Sequence, residues 1–324
     1  MELIRGIHNI QARHRGCVLT IGNFDGVHQG HHAVLTRLQE KAAQLGLPAC
    51  VMLFEPQPLE LFAGAAAPAR LSRWREKYEA LKAMQIDRML CVRFTHRFAE
   101  QAASTFIEQL LVEKLGVHYL VVGDDFRFGK GREGDFHLLE EAGRRFGFEV
   151  ISTQSFQLSR QRVSSTLVRE ALKAGRMAEV ELMLGRPYAI SGRVAHGDKL
   201  GRTIGFPTAN LALKRQVIPV GGVFAVEVVC SGKIFPGVAN VGVRPTLSGT
   251  QARLEVHLFD FSGDLYGQQV KVLLRHKLRE EQKFDSFTAL KEQIERDALA
   301  ARAWFGLPQF HLPSTLLEKK GTQD

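Results

Sequence analysis

His28 and His31 stand three residues apart in the stretch Gly22-Asn23-Phe24-Asp25-Gly26-Val27-His28-Gln29-Gly30-His31-His32. Residues at that spacing share one face of a helix, where two imidazoles can hold the oxygens of a phosphate whose charge is shifting. Gly22, Gly26 and Gly30, at intervals of four, let the backbone come close to a ligand, and the free amides that open a helix favour an anion. The chemistry this suggests is electrostatic catalysis of a phosphate transfer. On spacing alone the pair is equally compatible with half a metal site or a plain helix surface.

Four other stretches carry chemistry-bearing side chains. Gly123 to Arg132 sets an acid, Asp125, with basic residues and two aromatics, Phe126 and Phe128, on a glycine-bounded loop. Such a loop is either a platform for a flat heteroaromatic ring beside phosphates or a basic surface loop. It is no P-loop, because Gly131 stands where a Ser or Thr should follow Lys130. Val163 to Arg169 places Ser164, Ser165 and Thr166 at a helix start with Arg169 one turn on, which a helix cap alone would explain. Gly197 to Asn210 joins a glycine loop to Thr208 and Asn210, oxygen ligands suited to Mg²⁺ carrying ATP phosphates, or forms a long hairpin connection. In Leu254-Glu255-Val256-His257-Leu258, strict alternation puts Glu255 and His257 on the face opposite the apolar residues, a pattern that by itself reads as a solvent face.

The elements that must position these residues differ between the two halves. Apolar runs at Val18 to Ile21, Ala49 to Phe54, Met89 to Phe94, His118 to Val122 and Glu149 to Thr153 alternate with helical patterns near 31–45, 73–84, 99–115 and 135–146. That alternation predicts a parallel, doubly wound Rossmann-like α/β sheet with ligands at the carboxyl ends of its strands. Leu184-Gly185-Arg186-Pro187 stops the last helical pattern and marks the expected boundary, giving domains 1–185 and 186–312 and a polar tail 313–324. Beyond it, strands at Tyr188 to Ala195, Val223 to Cys230, Lys233 to Val238, Arg253 to Phe261 and Val270 to Leu274 follow one another before one late helix, Ser286 to Phe305. Consecutive strands with a closing helix predict a small antiparallel β-barrel.

Composition bounds the function. At 324 residues, with 45% hydrophobic and 24% charged residues, the chain has the size and balance of two soluble domains. No apolar run approaches the roughly 20 residues of a membrane span, and Met1-Glu2-Leu3-Ile4-Arg5 lacks the pattern of a secretory signal, so a cytoplasmic protein without membrane association is expected. Cys17, Cys50, Cys91 and Cys230 form no C-x-x-C pair and read as reduced core residues. The net charge of +9 is spread over both halves with no run of five basic residues, which suits anionic nucleotide substrates rather than nucleic acid.

Asn23 to His31 resembles the signature of the bacterial bifunctional riboflavin kinase/FAD synthetase family, whose adenylyltransferase half belongs to the HxGH nucleotidyltransferases. Phe54-Glu55-Pro56-Gln57-Pro58, the Asp125 loop and the Ser165 helix start follow in the family's order. Gly205-Phe206-Pro207-Thr208-Ala209-Asn210, Asn240-Val241-Gly242-Val243-Arg244-Pro245-Thr246 and Leu254-Glu255-Val256-His257 are similar to its three riboflavin kinase motifs. The resemblance covers residues 15 to 305. It implies phosphorylation of riboflavin to FMN by ATP with Mg²⁺, then adenylylation of FMN to FAD. His28, His31, Ser165, Thr166 and Arg169 would handle ATP phosphates. Asn23 and Asp125 would line the adenosine pocket, with Gly22, Phe24, Gly26 and Phe128 around the nucleotide or flavin. In the barrel Thr208 and Asn210 would meet Mg²⁺ and ATP, Gly197 and Arg244 would bind substrate, and Glu255 would be the base for the riboflavin hydroxyl. The kinase motifs argue against an adenylyltransferase with another acceptor, and their intactness against a flavin- or RNA-binding regulator with degenerate sites.

Overall fold

The computed structural model describes residues 1–153, 163–195, 206–213, 217–246 and 249–308. The chain divides into two compact units, Met1–Ala171 with Val180–Arg186, and Leu172–Glu179 with Pro187–Asp324. Compared with a limit at residue 186, the turn Leu172–Glu179 counts with the second unit and Arg186 with the first.

In the first unit β1 (Glu2–Arg5), β2 (Cys17–Ile21), β3 (Ala49–Glu55), β4 (Arg88–Arg93), β5 (Val117–Val122) and β6 (Glu149–Ser152) form one sheet in the order β1-β4-β3-β2-β5-β6. Every pairing is parallel. The helices are α1 (Gln29–Leu45), α2 (Pro58–Ala63), α3 (Trp74–Ala83), α4 (His96–Ala99), α5 (Ala103–Thr105, running on as a wider π-helix through Phe106–Lys114), α6 (Phe136–Phe146), α7 (Ser165–Lys173) and α8 (Met177–Leu184). Both faces of the sheet are covered, which is why β2 is buried at every position and reads as an unbroken apolar run. Alternate residues serve opposite faces. Leu19 packs with Leu90, Leu111 and Phe148 on one, and Val18 with Leu35, Leu38 and Leu81 on the other.

The strand order also fixes where a ligand can sit. Chain progression from β2 runs outward through β3 and β4, then returns to place β5 on the other side of β2. The crevice at such a switch point opens at the carboxyl ends of β2 and β5. The turn holding His28 and the loop holding Asp125 leave the sheet at those two ends.

In the second unit β7 (Tyr188–Ala195), β8 (Ala209–Ala212), β9 (Gly222–Cys230), β10 (Lys233–Thr246), β11 (Gly249–Leu258) and β12 (Gln269–Arg279) close into an antiparallel barrel in the order β10-β11-β8-β7-β12-β9. Leu254, Val256 and Leu258 point into it, at most 7% exposed. One helix, α9 (Phe287–Trp304), is capped by Ser286, whose Oγ accepts the Ala289 N–H at 3.2 Å. Ala298 and Ala301 of α9 pack with Phe206, Val223, Val238 and Phe259, so the helix covers part of the barrel's outer face. The expected α/β sheet and antiparallel barrel with a terminal helix are both present. Among the described residues no helix is long and apolar enough to cross a membrane.

Candidate active sites

The turn from β2 into α1 is strained and heavily braced. Phe24 and Val27 have φ of 46° and 42°, a region that costs a β-branched side chain such as Val27 dearly. Three side chains hold it. The fully buried Lys77 donates from Nζ to the Asn23 carbonyl at 2.9 Å, and desolvation lowers the pKa of its ammonium. Arg186 donates to the carbonyls of Gly26 at 2.6 Å and Val27 at 3.0 Å. Asp25, 3% exposed, accepts the backbone N–H groups of Leu71 and Ser72 at 3.0 Å each and pairs with Arg169 at 2.5 Å.

Two glycines are required by close approach. At Gly26, with φ of +86°, a Cβ would fall 2.9 Å from Leu71 Cδ1, and at Gly30 it would fall 2.7 Å from the Val163 carbonyl oxygen. The helix that begins after Val163 is tied to the turn from its own side. Ser165 Oγ donates to the Asp25 carbonyl at 2.9 Å, and Arg169 Nε donates to the Ala69 carbonyl at 2.6 Å. Ser164 is the residue that caps α7, its Oγ accepting the Leu167 N–H at 3.3 Å, which frees Ser165 for the turn and leaves Thr166 exposed.

His28 is the N-cap of α1, and its side chain and that of His31 are exchanged across the first turn. His31 N–H donates to His28 Nδ1 at 3.4 Å, and His28 N–H donates to His31 Nδ1 at 3.2 Å. The rings stack with centroids 3.7 Å apart. Burial pushes the His28 imidazolium down to about 4, and it pushes His31 well below its ordinary value with the neighbouring His28 and Lys77 charges adding to it. Both rings are therefore neutral near pH 7. With Nδ1 used as acceptor, each carries its proton on Nε2. The result is a pair of fixed N–H donors on one face of a helix N-terminus. Phe24, 4% exposed, packs its ring 4.9 Å from that of His31. Gly22 and Asn23 are half-buried.

On the loop after β5, Asp125 is exposed. Phe128 is a core residue, 8% exposed and packed against Phe106, so it does not offer an open ring face; Phe126, half-buried, stacks over it at 5.5 Å. Sequence reasoning assigned no role to Asp25, Lys77 or Arg186. Asp25 lay inside the motif, whereas Lys77 and Arg186 gave no signal, because a lysine in an amphipathic helix reads as a solvated face.

The second site lies on the outer wall of the barrel. Glu255 is directly opposite Asn210 of β8 on one side and Asn240 of β10 on the other. All three, with Thr208, line a cavity of about 420 Å³ roofed by Phe284, Leu290 and Ile294. Glu255 is thus outside the barrel and under α9, a place that alternation alone cannot distinguish from solvent. Arg253 Nε lies 2.9 Å from Glu255 Oε1. The carboxamide oxygens of Asn210 and Asn240 are buried and accept no hydrogen bond from the described residues. An unmet buried acceptor costs about 1–3 kcal/mol. His257 donates from Nδ1 to the Pro207 carbonyl at 2.9 Å, leaving Nε2 as an acceptor, and burial lowers its pKa. Asp297, 7% exposed, clamps Arg279 through both carboxylate oxygens at 2.7–3.1 Å and so fastens α9 to the end of β12. Gly197 lies outside the described residues, and so does the side chain of Arg244, whose backbone runs in β10.

Two family models match this chain in succession, FAD synthetase over residues 10–167 and riboflavin kinase over residues 184–305. The bifunctional riboflavin kinase/FMN adenylyltransferase of Escherichia coli (strain K12) is 60% identical over 309 residues, covering 95% of this chain and 99% of that protein. The protein of the same name from Haemophilus influenzae is 55% identical, covering 94% and 99%. A crystal structure described as a macrolide-efflux protein from Streptococcus pneumoniae superposes with a TM-score of 0.77 at 30% identity, over 94% of this chain and all of that one. With both models matched in order and relatives this similar along nearly their whole length, the chain belongs to the bifunctional riboflavin kinase/FMN adenylyltransferase family.

Proposed function

We propose that the barrel phosphorylates riboflavin to FMN with ATP and that the α/β unit adenylylates FMN to FAD, releasing pyrophosphate. The observation that supports this reading is that each unit gathers its own set of groups suited to phosphate chemistry: neutral imidazole donors at a sheet switch point, and a carboxylate between two carboxamides in a cavity.

In the first unit a phosphate oxygen of FMN attacks the α-phosphorus of ATP and pyrophosphate leaves. The Nε2–H groups of His28 and His31 donate to the phosphate oxygens as charge moves onto them, and the α1 N-terminus adds its own field. Their protons are already placed, so no reorganisation is needed when charge develops. Arg169 and Ser165, fixed by Asp25 before ATP arrives, complete the phosphate contacts with Thr166. Gly22, Asn23, Gly26 and Asp125 border the nucleotide.

In the second unit Glu255 takes the proton of the riboflavin 5′-hydroxyl while the oxygen attacks the γ-phosphorus of ATP, the bond to the β–γ bridging oxygen breaks and ADP leaves. Thr208 and Asn210, two residues apart and lining one cavity, fit a hard cation, and the buried Asn210 oxygen that accepts no hydrogen bond from the described residues is the kind of donor Mg²⁺ takes. Mg²⁺ held there with ATP would neutralise phosphate charge during transfer. Gly197 and Arg244 belong to the same substrate site in this reading, domain limits near residue 186 separate the activities, and the partners are small molecules in the cytoplasm.

Purified protein incubated with riboflavin, ATP and Mg²⁺, with flavins resolved by chromatography, should form FMN first and FAD after it. FAD made only from added FMN would leave an adenylyltransferase without a kinase, and neither product would overturn the reading.

A further inference from the structure

We propose that Asn240 binds the ribityl chain of riboflavin, its carboxamide oxygen accepting a hydrogen bond from a chain hydroxyl and thereby setting the 5′-hydroxyl beside Glu255. The inference rests on the kinase reading of the barrel.

Register places Asn210, Glu255 and Asn240 in one row across β8, β11 and β10. Residues directly opposite on neighbouring strands project to the same face with Cβ atoms about 5 Å apart, and all three line the same cavity. Glu255 is thus flanked by two buried carboxamide oxygens, each without a hydrogen-bond donor among the described residues. Native structures satisfy the great majority of such groups, so two of them in one cavity, on either side of a carboxylate, mark places where a ligand supplies the donor.

The two sides of the row differ. Asn210 follows Thr208 by two residues, on the side suited to a cation and phosphates. Asn240 is paired on its other side with Val223, and on that side Phe284, Phe287, Leu290 and Ile294 give the cavity an apolar surface beside the Arg279–Asp297 ion pair, Glu281 and Gln282. A ligand group at Asn240 therefore lies between the end that is phosphorylated and a part that prefers an apolar wall. It must also donate hydrogen bonds. A polyhydroxyl chain joining a primary alcohol to a flat aromatic ring has those properties, and a carboxamide can both accept from and donate to its hydroxyls.

The test compares riboflavin with lumiflavin, which has the ring but no ribityl hydroxyls, using the full-length protein and quenching of flavin fluorescence. Asn240→Ala should weaken riboflavin about tenfold in both Kd and KM, the equivalent of about 1.4 kcal/mol, while leaving lumiflavin affinity and the KM for ATP at saturating Mg²⁺ unchanged. Asn240→Ser, a milder change, should lower the riboflavin-to-lumiflavin affinity ratio by a smaller factor and keeps the comparison readable if the alanine variant folds poorly. Equal weakening of both flavins would assign Asn240 to the shape of the wall, and a raised KM for ATP with riboflavin unaffected would move it to the metal side; either result, or no change, overturns the inference. These outcomes are separable from failure of the kinase reading, which would show as absent FMN formation by the unaltered protein.

Discussion

The imidazoles of His28 and His31 lie stacked 3.7 Å apart, each accepting on Nδ1 the backbone N–H of the other residue. One arrangement thus does two jobs. It gives the His28 N–H an acceptor at the start of α1, adds a second acceptor to the His31 N–H, which also donates to the His28 carbonyl at 2.8 Å, and fixes both rings as Nε2–H donors. Burial keeps both rings neutral, and for His31 the charge that His28 would carry adds to the effect.

Replacing His31 by Ala should therefore cost FAD synthesis about 2.7–4 kcal/mol of barrier, or roughly 10²- to 10³-fold in rate, as loss of one charge-stabilising donor does elsewhere. FMN should accumulate when riboflavin is supplied, because the kinase site does not use these rings. An equal fall in both products, followed by chromatography, would contradict the assignment.

The same burial makes stability depend on pH. His28 titrates near 4 when folded against an ordinary 6.5, so between those values the unfolded chain binds more protons than the folded one. Stability is then complete above about pH 6.5 and falls as the pH drops toward 4, by about 1.4 kcal/mol per pH unit for each such group. His31 adds to the slope in the same direction. His28→Asn keeps a cap acceptor but cannot titrate, so urea unfolding between pH 4.5 and 6.5 should show a slope shallower by about one proton. An unchanged slope would mean that His28 is already protonated in the folded protein.

Asp25 and Arg169 form a pair whose carboxylate is 3% exposed and whose guanidinium side chain is 21% exposed. Arg169→Met strands the buried charge and should cost roughly 3 kcal/mol, whereas adding Asp25→Asn should recover part of that loss. Denaturant unfolding of the two variants measures it. A cost under about 0.5 kcal/mol for the single change would place the pair among inert surface bridges.

Much of this architecture is legible in the sequence. β2 is an unbroken apolar run because both of its faces are covered, and β11 alternates because only one face meets the barrel core. Elements without a pattern are not legible: β1 is four residues at a sheet edge, β8 is four residues beside a glycine-rich stretch, and Asn240, Gly242 and Pro245 hide the continuation of β10 from Val238 to Thr246. For the candidate sites, residue type and spacing single out His28, His31, Thr208 and Asn210 as candidates. They do not find Lys77, which looks like a surface lysine and is fully buried, or Asn240, whose meaning depends on its opposition to Glu255. Glu255 shows the limit most clearly. Alternation reports which face a residue is on, but what covers that face is decided by α9, contributed from later in the chain.

Glu255→Gln tests the account most directly, because the amide keeps size and reach but cannot take a proton. FMN formation from riboflavin should fall by about 10²- to 10⁴-fold, the usual weight of a general base, with the loose character of phosphoryl transfer favouring the lower end. FAD formation from supplied FMN, measured on the same sample, should hold at the unaltered rate. An FMN rate undiminished by the substitution, or a parallel loss of both activities, would contradict the claim that one chain carries two separate sites with Glu255 as the base of the second.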